Sequence, residues 1–406
     1  VGDDVVQGQQ HVLLLTLHHI ITDGWSMGVL IDECLACYDA LVTGKTPEFA
    51  PLPIQYRDYA LWQRAWLDAG EQARQLEYWR AHLGDEHPLL ELPTDRPHPP
   101  LPSQQGKCLE IDLDSSLLKN LQGLAQQQGV TLFVVLLASF KALLHRYSGQ
   151  RDIRVGGLIA NRTRSETEGL IGFFVNTQVL RTEVHPDSRF DALLQAVRQT
   201  ALGAQAHQEL SFDAIVDGLQ IPRSQNRNPL FQVMFNHRPL VNAIQGRQLA
   251  CGLNVAGLTA EQLGEDQRPQ AAGSDLMLET SGEGEQLKAS FTYATDLFDE
   301  ATVRRIAGHW RTLLGGICAN PQARIDQLPL LGDEERVLLT EGCNQSAREY
   351  PLERSYVAQF EERVAAHPER IAVSCLQRRD SYAELNAAAN RLGHALIAAG
   401  AGFDQP

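Results

Sequence analysis

Two histidines stand side by side in "LLLTLHHIITDGWSMGVL", residues 13–30, and the second lies four residues ahead of an Asp-Gly pair. His18, His19 and Asp23 are residue types that could ligate a metal, move a proton or form an ion pair. Residues 12–20 are apolar enough to read as a buried strand, and successive strand side chains point to opposite faces. His18 and His19 therefore cannot both reach one ion, which counts against a two-histidine metal site. One histidine should look into a solvent-reachable cleft, and the other should be buried and hydrogen-bonded. Asp23 either braces the turn or pairs with a distant arginine.

Other chemistries fail on their motifs. No G-x-S-x-G elbow is present, and neither G-x-x-x-x-G-K-[ST], G-x-G-x-x-G nor H-E-x-x-H occurs. Cys34 and Cys37 form a C-x-x-C, but no second pair completes a zinc site, and an amphipathic helical pattern around them favours ordinary packing. What survives is an acid/base histidine without a protein nucleophile. That suits an acyl transfer in which the substrates supply both nucleophile and electrophile.

The bulk numbers narrow the partners. A chain of 406 residues suggests two or three domains. With 43% apolar and 21% charged residues its composition is globular. A net charge of -15 argues against a nucleic-acid partner, which needs clustered Lys and Arg. The longest apolar stretch, "TLFVVLLASFKALLHRY", is interrupted by Ser139, Lys141 and His145, so no membrane span is expected. Seven scattered cysteines suit a reducing cytoplasm better than a disulfide framework, and an N-terminus with neither signal peptide nor initiator Met reads as that of a piece of a longer chain.

The elements that must position the histidines follow from patterning. A strand over 12–20 feeds a helix to about Leu41, and helices follow at 56–68 and 71–83. "LELPTDRPHPPLPSQQG" is a Pro-rich connector and marks a subdomain boundary. Beyond it come strand "KCLEIDL", helices near 115–127 and 131–147, strands "DIRVGGLIA" and "FFVNTQVLRTEV", and helix 188–205. Strands "FQVMFN", "DLMLET" and "KASFTYA" and a helix over about 299–316 complete a mixed α/β (α+β) two-layer sandwich. From about 331 a short helix and linker lead into a new helix–strand–helix unit of roughly 50 residues, too small to bury a full core of its own.

"HHIITDGWS" resembles the H-H-x-x-x-D-G signature of condensation domains in nonribosomal peptide synthetases, relatives of chloramphenicol acetyltransferase. Further motifs of that family follow in order: "YRDYALW" (56–62), "IGFFVNTQVLR" (171–181), "HQELSFD" (207–213) and "RSQNRNPLFQVMFN" (223–236). Glu209, Ser211, Asp213 and Asn226 depart from the family pattern. The resemblance covers roughly residues 1–330. In the tail, "SYAELNAAANRLGHAL" resembles the opening of an adenylation domain, with Asp380 where an apolar residue is usual. Trp25 before Ser26 differs from the D-G-x-S-W of epimerization domains, and the His pair differs from the aspartates of heterocyclization domains. Amide-forming condensation is favoured.

The resemblance implies two chloramphenicol-acetyltransferase-like lobes with the His motif at their junction. The first lobe is expected over 1–104 and incomplete, the second over 105–330, a linker over 331–353 and a truncated adenylation start over 354–406. It also implies upstream and downstream peptidyl carrier domains that deliver phosphopantetheine arms, with a downstream adenylation domain in cis. No cofactor is expected to be bound covalently, since "LGGIC" (314–318) has Cys318 where an attachment site needs Ser.

By the same resemblance His19 faces the channel, as proton acceptor or as positioning group, and His18 is its buried structural partner. Asp23 pairs with Arg162 of "GLIANRTR", the alternative being a surface Asp at a turn. Gly24 offers a backbone N–H to the oxyanion. Trp25, Ser26 and Asn228 line the substrate channel, Asn228 having a turn-forming alternative. Tyr56, Trp62, Asn176 and Arg181 are expected to determine the fold. Two rivals remain: a noncatalytic carrier-docking module and a free-standing coenzyme A-dependent acyltransferase. Expressed alone, the chain is expected to be inactive.

Overall fold

The structure is a computed structural model that describes residues 13–224, 226–238, 253–255, 258–260, 270–283, 286–349, 353–376 and 378–402. It divides into two compact units, Val1–Glu335 and Arg336–Pro406.

The first unit begins with three helices, α1 (Gly24–Val42), α2 (Tyr56–Trp66) and α3 (Gln72–Leu83). Between α2 and α3 the chain kinks at Gly70, whose φ of 108° is open to glycine and strained for other residues. Next come β1 (Gln105–Leu113), α4 (Ser115–Gln128), α5 (Leu132–Ser148), β2 (Asp152–Ile159), β3 (Asn176–Glu183) and α6 (Phe190–Ala206). They are followed by α7 (Phe212–Gly218), β4 (Val233–Arg238), the short pair β5 (Leu253–Val255) and β6 (Leu258–Ala260), β7 (Gln270–Ala271), β8 (Leu276–Glu283), β9 (Gln286–Ala294) and α8 (Glu300–Ala319).

Seven strands form one mixed sheet in the order β3-β2-β4-β8-β9-β1-β7. β2–β4 and β4–β8 are parallel and the remaining pairs antiparallel. Helices α4, α5, α6 and α8 pack against one another and onto the sheet. The core lies between the two layers, where Phe140, Phe190, Phe235, Phe291 and Trp310 are fully buried.

The mixed sandwich expected from the alternating signals is present, with boundaries shifted by a few residues. Two readings needed correction. The strand expected over 12–20 is absent: residues 13–18 are irregular, and a 3₁₀ turn occupies His19–Ile21. No described strand runs beside this segment, and an apolar run without a hydrogen-bonded neighbour is not held as a strand. The strand expected from Phe173 starts only at Asn176. The amides of Gly172, Phe174 and Val175 are taken by side-chain acceptors instead of a ladder. Sequence patterning missed α7, capped by Ser211 through the amide of Ala214.

The Pro-rich connector is strapped to the sheet body by hydrogen bonds along its length. The Leu90 amide donates to Gln232 Oε1 at 2.6 Å. Asp95 accepts from the Asp299 amide at 2.7 Å and the Thr302 hydroxyl at 2.9 Å, which satisfies donors at the start of α8. His98 Nε2 lies 2.9 Å from Asp275 Oδ2, and the Ser103 amide donates to Asp296 at 2.7 Å.

Lys141 is the anomaly of the core. It sits on α5 among apolar residues, is 0% exposed, and donates from Nζ to the Leu180 carbonyl and the Thr182 hydroxyl, both at 2.7 Å. Burial lowers its pKa well below the usual lysine value, only partly opposed by the charge of Asp152. A lysine depressed in the folded state binds fewer protons there than when unfolded. Its contribution to stability therefore grows as pH rises from the folded pKa towards the unfolded value near 10.4. Wild type should gain stability over a Lys141→Met variant between pH 7 and pH 10 in denaturant titrations, and parallel curves would contradict this account.

The second unit follows α9 (Asp333–Thr340), which straddles the division, and contains α10 (Tyr356–Ala366), the hairpin β10 (Ile371–Cys375) with β11 (Arg378–Ser381), and α11 (Tyr382–Ala398). A capping box joins Ser381 and Glu384 at the start of α11. None of its described residues is buried, in keeping with a unit too small to close a core. Among the described residues no single helix is long and apolar enough to cross a membrane.

Candidate active site

The site is built on the start of α1. Asp23 is its N-cap and receives the Ser26 amide on Oδ1 at 2.7 Å. Its other oxygen, Oδ2, accepts from the amides of Phe174 and Val175 at 3.0 and 3.3 Å. Arg162 reaches Asp23 Oδ1 at 3.3 Å, and both side chains are 2% exposed. One carboxylate therefore joins the helix start to the loop that follows β2. Burial pushes the Asp23 carboxyl up, but the Ser26 and Phe174 amides, the Ser26 side chain and the Arg162 charge outweigh it and hold its pKa below the ordinary value.

Ser26 doubles the joint. Its hydroxyl donates to the Gly172 carbonyl at 2.8 Å and accepts from the Gly172 amide at 3.1 Å and from Arg162 Nη2 at 2.7 Å. Arg162 Nη1 donates to the carbonyls of Thr167 and Leu170. Its guanidinium lies 4.0 Å from the centre of the Phe174 ring and 5.7 Å from that of Trp25. Trp25 in turn donates from its indole to the Glu168 carbonyl at 2.8 Å.

Ahead of this anchor the chain presents the histidines. His19 is exposed, and its Nδ1 lies 2.6 Å from the Thr22 carbonyl. A carbonyl only accepts, so Nδ1 carries the proton and Nε2 of the neutral ring is left as an acceptor. The Phe173 ring meets the imidazole edge-on at a centroid distance of 5.3 Å. His18 accepts the Ile20 amide on Nδ1 at 3.1 Å and caps the 3₁₀ turn.

The structure corrects two of the expected placements. His18 is exposed rather than buried, because the burial argument rested on strand alternation and residues 13–18 form no strand. Ser26 is 0% exposed and spends its hydroxyl on Gly172 and Arg162, so it cannot line a channel.

The other candidates sit as follows. Gly24 is exposed at the first position of α1, where a backbone N–H lacks an intrahelical acceptor. Trp25 is half-buried. Asn228 accepts the Leu230 and Phe231 amides on Oδ1 at 3.0 and 3.3 Å, the geometry of a turn-forming Asn. Among the described residues no cluster of metal-ligating side chains occurs.

Sequence reasoning missed the second anchor at Ser26 and the aromatic tier behind Arg162. The D-x-x-S spacing at a helix start is the signal that points to Ser26, because the N-cap carboxylate takes the amide three residues on. The tier consists of Tyr59, Leu170 and Phe174, flanked by Tyr56 and Trp62. Tyr56 donates its hydroxyl to the Phe173 carbonyl at 2.8 Å. A Cβ at Gly172 would overlap ring carbons of Tyr56. With the ring tied down at its hydroxyl, Gly172→Ala should cost about 1–3 kcal/mol of stability in denaturant unfolding. A variant as stable as wild type would show that the ring yields freely.

A mixed sheet backed by helices, with an exposed histidine ahead of a buried Asp–Arg anchor, is a chloramphenicol-acetyltransferase-like fold. The X-domain from teicoplanin biosynthesis shares it with a TM-score of 0.69 at 27% identity, over 78% of this chain and 71% of that one. Holo-AB3403, a four-domain nonribosomal peptide synthetase bound to AMP and glycine, gives a TM-score of 0.79 over 95% of this chain and 29% of that one. At 22% identity that likeness concerns the fold alone.

The condensation-domain family model matches residues 5–340, and the chain belongs to that family. A linear gramicidin synthase polypeptide of Brevibacillus parabrevis is 43% identical over 394 residues, 97% of this chain and 5% of that protein. Surfactin synthase subunit 1 of Bacillus subtilis (strain 168) is 34% identical over 397 residues, 98% of this chain and 11% of that protein. The chain thus spans only a small part of the length of these relatives.

Proposed function

We propose that this domain joins an upstream carrier-bound acyl or peptidyl thioester to the α-amine of a downstream carrier-bound aminoacyl thioester, forming an amide in nonribosomal peptide synthesis. The observation that carries this reading is His19, exposed on a tight turn with Nδ1 fixed on the Thr22 carbonyl and Nε2 left to accept. In the reaction the amine nitrogen attacks the thioester carbonyl, the C–N bond forms and the C–S bond breaks. One amine proton passes to Nε2 and leaves with the departing thiol. A thioester is already activated, so holding the amine in line matters as much as basicity. Roughly a quarter to two-fifths of a free α-amine with a pKa of about 7.7–8.0 is neutral around pH 7.5.

The Asp23–Arg162 anchor holds the turn and does not touch substrate in this reading. The Gly24 amide, at the positive end of α1, suits a developing oxyanion. Trp25 and Asn228 are the channel-lining candidates. Phosphopantetheine arrives on both carrier domains and is not attached to this chain. Residues 331–353 serve as a linker and 354–406 as the opening of an adenylation domain in cis. Supporting this, relatives match 97% of the chain, past residue 340, and "SYAELN" carries a capping box at a helix start. The reaction is assigned to the cytoplasm, a reducing compartment that the scattered spacing of the seven cysteines suits.

The test loads the two carriers of the parent synthetase separately and follows intact masses. Transfer of the acyl mass onto the downstream carrier is expected. Tight carrier binding without transfer would favour a docking module, and equal turnover of free acyl-coenzyme A would favour a free-standing acyltransferase.

A further inference from the structure

Behind the Asp23–Arg162 anchor the structure keeps polar atoms that nothing satisfies. Among the described residues, five buried side-chain atoms lack a hydrogen-bond partner: Tyr59 Oη, His82 Nε2, Asn161 Oδ1, Arg162 Nε and Glu209 Oε2. Tyr59 feels the charges of both Glu209 and Arg162. The Tyr59 ring lies 4.8 Å from Phe174 and 5.9 Å from Trp62. Arg162 stacks on Phe174 at 4.0 Å and Arg164 on Trp62 at 4.1 Å, so two guanidinia flank one aromatic tier. Between these arginines in sequence, Thr163 donates its hydroxyl to Glu209 Oε1 at 3.1 Å.

The backbone that carries Glu209 is pinned on both sides. The carbonyls on either side of it, Gln208 and Leu210, both accept from Asn176 Nδ2, at 2.9 and 2.8 Å, and the Leu210 amide donates to Gln75 at 2.9 Å. Its carboxyl is held in at the cost of an unpaired Oε2, and burial raises its pKa while Thr163 and Arg164 oppose the rise. A half-buried acid that keeps one carboxylate oxygen buried and unpaired, against its desolvation penalty, is expected to have a use beyond packing.

We propose that Glu209 is a positioning residue for the condensation site: through Thr163 and the Arg162–Tyr59–Arg164 tier it fixes the loop whose Phe174 and Val175 amides bind Asp23, and so the turn that presents His19. This rests on the proposed function, because it assigns Glu209 a role in the rate of that reaction.

Glu209→Gln tests it within the parent synthetase. A group with a raised folded pKa contributes stability below its unfolded value and loses it as pH rises through the folded pKa. The variant should therefore gain stability relative to wild type between pH 4 and pH 8. At pH 8 it should nevertheless form amide several-fold more slowly at saturating carriers, with unchanged carrier KM. Hydrogen exchange at the Phe174 and Val175 amides should quicken by about fivefold or more, and Glu209→Asp should restore much of the rate. An unchanged rate and exchange would overturn the proposal, as would a variant that loses stability and rate together at every pH. If wild type forms no amide, the proposed function fails, and the exchange at Phe174 and Val175 still decides whether Glu209 holds the loop.

Discussion

Replacing His19 with alanine is expected to stop amide formation while leaving the protein folded. The side chain is exposed and its one hydrogen bond goes to the Thr22 carbonyl within the same turn, so little packing is lost. Surface substitutions of this kind usually stay within about 0.5 kcal/mol of wild-type stability. The rate should fall by roughly 10²–10⁴-fold, the usual contribution of a positioned acid/base group. His18→Ala is the matched control. It removes the acceptor that caps the Ile20 amide, and a lost cap costs about 0.5–2 kcal/mol. Single-turnover kinetics with both carriers loaded separate the two. A His19→Ala domain that kept near wild-type rates would remove His19 from the reaction.

The second large effect concerns the anchor. Removing one partner of a buried ion pair costs about 3–5 kcal/mol, because the other charge stays behind unpaired. Asp23→Asn leaves Arg162 buried and turns an amide N–H towards the amides of Phe174 or Val175 or towards the guanidinium. Arg162→Met keeps the volume but strands the Asp23 carboxylate. Either change should lower stability by an amount in that range, and the double variant should lose less than the sum. The pair should also set an acid limit. Asp23 is depressed in the folded state, so its contribution is present above the unfolded pKa near 3.9 and is lost as pH falls through the lower folded value. Denaturant titrations from pH 7 to pH 2 would read this as a wild-type decline missing from Asp23→Asn. Additive losses in the cycle would mean that the two side chains do not work as a pair.

Much of the fold could be read from patterning, because most elements carry their own caps and periodicity. α5 is apolar over most of its length and begins at Thr131, whose hydroxyl takes the Val134 amide. α4 ends at Gly129 in the left-handed region, as a helix stop should. Reading failed where long-range contacts overrule local pattern. "LLLTLHH" is apolar enough to read as a strand, but a strand needs a neighbour, and none lies beside it among the described residues. "FFVN" reads as strand, yet its amides are claimed by Asp23 and its turn by Ser26, residues some 150 positions away. Ser26 itself was visible as a residue and misread in role, since a hydroxyl near a catalytic motif says nothing about its burial. The Glu209 cluster was beyond reach, because only the folded chain brings Trp62, Arg164 and Glu209 together.

The central claim is that His19 Nε2 meets the attacking amine, and a complex tests it most directly. The parent domain would be crystallised with a stable acceptor analogue whose thioester sulfur is replaced by a methylene or an amide and whose α-amine is free. The account predicts the amine nitrogen about 2.6–3.2 Å from His19 Nε2, with His19 Nδ1 still on the Thr22 carbonyl. An amine seated beyond reach of His19, with His19 turned to solvent in the occupied channel, would contradict it.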